Sequence, residues 1–154
     1  MIRYVLAALL TVALIVLAVP AIDRGATVNT ERQVDTSLSS IDDEATALIE
    51  TEEVTPDGHP DPQRIVTVSL PRSTLTTAGV DHFELVPHEN GSYTHARYVL
   101  EDGATREAVI DERIVWNDPD GNETTEMGGS GDQRLALVLL EDEHGEPRLI
   151  ARHV

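Results

Sequence analysis

An unbroken apolar run at the start constrains this chain more than any other feature. From Ile2 to Ile22 the only charge is Arg3, and Tyr4 to Val19 is interrupted only by Thr11. As a helix the run covers about 30 Å, the hydrocarbon thickness of a bilayer. Arg3 can snorkel to one interface, where Tyr4 suits the aromatic belt, and Asp23, Glu31 and Asp35 lie beyond the other end. The positive-inside rule then predicts a single-pass protein of the cell membrane, with a cytoplasmic N-terminus and an extracellular C-terminal domain. Membrane lipid is the expected partner of residues 2–22. The rival reading is a signal peptide cut after Ala21, but the run is longer than the usual apolar region of about 7–15 residues, so a retained anchor is expected.

Charge sets the character of the chain beyond the anchor. The 154 residues hold 28 Asp and Glu against 11 basic residues, all of them Arg, for a net charge of −17. Such a surface has no basic footprint for phosphates, so no nucleic acid is expected as a partner. Acidity alone can mean disorder, but 40% hydrophobic residues and clear strand patterns favour a folded head. Dense carboxylates without lysine stay hydrated when molar salt screens charge beyond about 3 Å. The composition therefore predicts a protein of a halophilic archaeon. Cysteine is absent, which excludes disulfides and thiol chemistry.

Beyond the span the pattern turns one-sided. Val34, Leu38, Ile41, Ala45 and Leu48 step by four and three, which draws an apolar seam on one helix face. Residues 1–22 read as transmembrane anchor and 23–50 as amphipathic helix, continuous or bent near Gly25. Residues 51–63, with Pro56, Gly58, Pro60 and Pro62, form a linker.

Residues 64–154 read as an antiparallel β head. Ile65–Leu70, His82–Val86, Tyr93–Leu100, Thr105–Trp116, Arg134–Glu141 and Pro147–His153 are the expected strands. Asp102-Gly103 and His144-Gly145 mark hairpins, and a long polar loop runs from Asp118 to Gly131. The fold class is α+β, with the helix seam covering one face of the sheet.

No catalytic constellation is present, so no enzyme, cofactor or metal centre is expected. The six histidines lack zinc-site spacing, although His82 with Glu84, and His95 with Arg97, share strand faces at period two. Asp118-Pro-Asp120-Gly-Asn122 lacks the twelfth-position glutamate of a calcium loop. Two sequons, Asn90-Gly-Ser92 and Asn122-Glu-Thr124, fall in predicted turns and make Asn90 and Asn122 candidates for N-glycosylation.

The apolar segment Tyr4–Val19, the 34–48 seam and the strands from Ile65 onward together resemble the type IV pilin family. In pilins the apolar half anchors the subunit before assembly and packs in the filament core afterwards. An apolar residue stands here where bacterial pilins carry an early glutamate. The start Met-Ile-Arg-Tyr-Val-Leu-Ala and the stretch Arg64-Ile-Val-Thr-Val-Ser-Leu also resemble a small haloarchaeal family of unknown function, whose members are associated with pilus-like secretion machinery.

These resemblances imply a structural or accessory component of an archaeal surface appendage or secretion system. Pilus or secretion-system proteins would then meet Val34, Leu38, Ile41, Ala45 and Leu48, unless that seam packs on the chain's own head. The alternative is a membrane-tethered extracellular binding module. It would need an aromatic patch on the outer sheet face around Tyr93, Tyr98 and Trp116.

Overall fold

A computed structural model describes residues 2–56 and 58–154. One helix, α1 (Ile2–Thr51), runs through both the apolar and the amphipathic halves. Pro20 lies inside it and has no N–H to give the carbonyl of Val16. Membrane helices tolerate such prolines far better than water-exposed ones, where an interior proline costs about 3 kcal/mol. Gly25 is helical too, and an added Cβ there would meet nothing within 4 Å, so no close packing requires a glycine at this position.

Eight strands follow: β1 (Gln63–Leu70), β2 (Val80–Pro87), β3 (Thr94–Leu100), β4 (Thr105–Ile110), β5 (Ile114–Trp116), β6 (Thr125–Gly128), β7 (Gly131–Glu141) and β8 (Pro147–His153). They form two four-stranded sheets, ordered β1-β7-β8-β5 and β4-β3-β2-β6. Three features differ from the single antiparallel sheet expected. The segment 105–116 is two strands in different sheets, separated by a corner at Asp111–Arg113. Strand β5 pairs with β8 in parallel, which makes the first sheet mixed. The expected 118–131 loop contains β6, which pairs with β2 around a register shift between Phe83 and Glu84.

The β3–β4 and β7–β8 hairpins lie where Asp102-Gly103 and His144-Gly145 predict them. Gly103 (φ 83°) and Gly145 (φ 77°) take the left-handed conformation those turns require.

The alternation along β1 sorts its side chains as the sequence implies, with Val66, Val68 and Leu70 buried and Ile65, Thr67 and Ser69 outward. The seam of α1 completes the same core. Val34, Ile41 and Ala45 are fully buried, and Leu38 and Leu48 nearly so, among residues of both sheets such as Phe83, Leu85, Leu135 and Leu137. Complete burial stabilises by about 1.5–3 kcal/mol for each large apolar side chain.

Polar bonds fix the helix in place. Ser37 Oγ donates to the Ser69 carbonyl and accepts from the Ser69 N–H, both at 3.2 Å, so α1 satisfies groups on the outer edge of β1. Arg106 Nε meets Glu31 at 2.7 Å and Arg64 meets Glu44 at 3.0 Å.

The β4–β5 corner shows how charge acts on this fold. Asp42 accepts from the Asp111 N–H at 2.9 Å. Partial burial, then the neighbouring Asp42, Asp111 and Glu50, push the Glu112 carboxyl above the ordinary glutamate range. The folded head therefore holds this proton more tightly than the unfolded chain. The ionised group costs stability as pH rises through the ordinary value toward the raised one.

Two outcomes are expected in thermal unfolding scans from about 0.1 M to 3 M salt. The wild-type midpoint should climb with salt. Glu112→Gln should raise stability at neutral pH and low salt by no more than about 1 kcal/mol, with the gain shrinking in acid or molar salt. A wild-type midpoint that stays flat or falls with salt would count against a salt-adapted head.

Candidate functional site

The first functional surface is the apolar half of α1. It is the one helix among the described residues long and apolar enough to cross a membrane, and none of that stretch is buried by the head. A core helix of the same composition would be covered. This one presents Leu6, Leu10, Leu14 and Leu17 outward, as a lipid-facing segment does.

The lower half of the helix does not offer a second docking face. Val34, Leu38, Ile41, Ala45 and Leu48 were expected to meet either a partner helix or the chain's own head, and they are buried in the head. This corrects the assignment of pilus or secretion proteins to that seam. Exposing these residues to a partner would open the core.

At the end of the head away from the span, Arg113 joins three segments. Its Nε donates to the His88 carbonyl at 3.3 Å, and its Nη2 donates to Asn122 Oδ1 at 2.9 Å and to the Gly121 carbonyl at 3.5 Å. The two sequons, 32 positions apart by number (122 − 90), thereby lie on neighbouring loops. Asn90 and Asn122 are both exposed.

Beside Asn90, the His88 ring packs 4.5 Å from Tyr93, which packs edge-on against His95 at 5.2 Å. His88 Nδ1 accepts the Asn90 N–H at 3.3 Å, so this turn is ordered by its own side chains.

The outer face of the second sheet carries a ladder. Register aligns Glu84, Arg97 and Glu107 across β2, β3 and β4, and Arg97 bonds both carboxylates at 2.9 Å. These bonds raise the pKa of its guanidinium further, the hydrogen bond to Glu107 most of all. His82 shares the face with Glu84 at 3.7 Å, and His95 shares it with Arg97, as period two predicts. Among the described residues no three His, Asp or Glu side chains converge as a metal ion would need.

The aromatic patch is not assembled. Tyr98 faces inward and is 4% exposed, and its burial, with Asp35 and Glu31 nearby, raises the pKa of its hydroxyl. Trp116 packs on the core and on His153, with ring centroids 4.9 Å apart. Tyr93 alone stands at the distal turn.

Sequence reasoning missed Arg113 as an organiser. Its three partners come from two separate loops, and nothing in its neighbours marks it. No curated protein and no solved structure matches the chain. The architecture of one half-bare helix and a two-sheet head extends through the whole sequence, and so does the family match: over residues 1–154 the chain belongs to the family described as a domain of unknown function, DUF7311.

Proposed function

We propose that this protein is a pilin-like, single-pass structural or accessory component of an archaeal surface appendage or secretion system. One observation carries the reading. A single continuous helix has its second half built into a β head and its first half bare and apolar. That division suits a subunit held in the membrane by the first half and free to associate through the same half once assembled. The buried seam is consistent with it, because a head closed on its own helix needs no outside partner to fold.

Orientation follows from Arg3 on one side and the acidic head on the other, so the head is read as extracellular. Asn90 and Asn122, exposed on neighbouring distal loops, then lie where N-glycans would be carried. The lysine-free acidic composition supports a hypersaline source.

The test is purification of the full chain, tagged at its C-terminus, from native membranes in mild detergent and molar salt. Co-purification of an assembly ATPase, a platform protein or other pilin-like subunits is expected. Recovery of the chain alone, repeated after crosslinking, would overturn the proposal.

A further inference from the structure

Just beyond the span, the segment between β1 and β2 forms a small loop tied to itself and to α1. Thr74 N–H donates to the Thr77 carbonyl at 2.9 Å, and Thr74 Oγ1 accepts from the N–H groups of Thr76 and Thr77 at 3.2 and 3.1 Å. Thr77 Oγ1 donates to the Arg72 carbonyl at 2.9 Å. The helix holds this loop from below: Asn29 Nδ2 donates to the Thr76 carbonyl at 3.1 Å, and Thr30 Oγ1 donates to the Ala78 carbonyl at 2.7 Å. At the tip of this bonded frame stands Leu75, 87% exposed, the most exposed large apolar side chain of the head.

Leu75 does not face open water at random. It lines one cleft with Ile22, Gly25, Ala26, Asn29 and Thr76, and Ile22 is the last residue of the apolar run. The side chain therefore lies within about one helical turn, ~5 Å, of the edge of the hydrocarbon. We propose that the 73–77 loop seats the head on the bilayer, with Leu75 entering the lipid interface beside Ile22. The proposal rests on residues 2–22 spanning the membrane.

Three features fit a lipid surface. The apolar area is continuous with the span through Ile22. The loop is held in shape by its own hydrogen bonds, so insertion orders little that is not already ordered. Arg24 on α1 and Arg72 at the start of the loop are exposed, form no ion pair among the described residues and suit lipid phosphates. Asp23 and Asp102 line a neighbouring cleft with Thr74 and Thr77, which limits the depth to the headgroup level. A head seated at α1 and at Leu75 has two points of support and a fixed tilt.

The cysteine-free chain allows a direct test. Nitroxide labels are placed at Leu75→Cys, Leu9→Cys and Val109→Cys in the full chain, reconstituted in phosphatidylcholine–phosphatidylglycerol vesicles in molar salt. Collisions with oxygen report lipid, and collisions with a nickel chelate report water. Position 75 is expected to resemble position 9 more than position 109. A label at 75 as wet as that at 109, with 9 in lipid, overturns the seating and leaves the anchor intact.

If position 9 is also wet, the anchor and the seating fall together. Shielding of 75 from both reagents means protein contact, such as a second copy, and also overturns it. A label at Thr76→Cys guards against the probe itself drawing the loop into lipid. Adding Leu75→Ser should shift its partition toward water by about tenfold; no shift would refute the role of Leu75.

Discussion

Replacing Ile41 by Asp is expected to unfold the head while leaving the protein in the membrane. Ile41 is fully buried at the middle of the seam, where α1 meets both sheets. Removing the large apolar side chain costs about 2–5 kcal/mol. An unpaired charge in the same place adds a desolvation penalty of several kcal/mol. Together these reach the whole stability of a typical domain, about 5–15 kcal/mol.

Controls separate the mechanism from general damage. Ile41→Val should cost only about 0.5–1.5 kcal/mol. Asp43→Ala, on the exposed face of the same turn, should stay within about 0.5 kcal/mol of wild type. The measurement is thermal unfolding of the detergent-solubilised full chain, followed by the fluorescence of Trp116, its single tryptophan, and by limited proteolysis. A head that melts normally with Asp at position 41 would mean the seam is a docking surface after all.

That seam was legible because helix periodicity is a local property. Steps of four and three place Val34 through Leu48 on one face whatever covers them, and they end in the core. The hairpins at Gly103 and Gly145 were equally local, since turn chemistry is written in two residues. The β4–β5 corner was not. Thr105 to Trp116 contains no glycine or proline, and the chain turns there because of a distant residue. Thr94 Oγ1 donates to the Glu112 carbonyl and accepts the Ile114 N–H, at 2.9 and 2.8 Å, which closes the corner from another strand.

Strand β6 was hidden for a different reason. Only Thr125 and Met127 alternate inward before Gly128, too short a pattern to outweigh the glycines after it. The parallel pairing of β5 with β8 joins segments more than thirty residues apart, as the register of Ile114 with Leu149 shows, and no local pattern encodes it. At the distal end, exposure of Asn90 and Asn122 followed from their turn sequences, but their adjacency depends on Arg113. The aromatic patch could have been doubted from spacing alone. Tyr93 and Tyr98 are an odd number of residues apart, so an extended strand sends them to opposite faces.

The combined substitution Leu9→Arg and Ile15→Arg is expected to abolish membrane integration and leave the head folded, the reverse of the Ile41→Asp result. Each arginine near mid-bilayer costs about 2.5–3.5 kcal/mol on the insertion scale, so the pair removes about 5–7 kcal/mol. Neither position touches the core, since Leu9 is 62% and Ile15 57% exposed. The unfolding midpoint of the head should therefore match wild type within about 0.5 kcal/mol. Alkaline carbonate extraction followed by mass measurement reads the outcome.

Wild type should remain in the membrane pellet with residues 2–22 attached, and the double variant should move to the soluble fraction. A wild-type chain starting at Ile22 and found in the medium would instead identify a cleaved signal and remove the basis of the pilin-like reading. If the double variant stays in the pellet after carbonate, the apolar half of α1 is not what holds the protein. The membrane attachment would then have to come from the head. Among the described residues the head offers only scattered exposed apolar side chains beside the span, Leu75 foremost and Val28 on α1 after it. One leucine gives up to about 3 kcal/mol, too little to keep a chain in a washed membrane. Release of the double variant therefore assigns the integral attachment to the apolar half of α1, and retention after carbonate refutes that assignment.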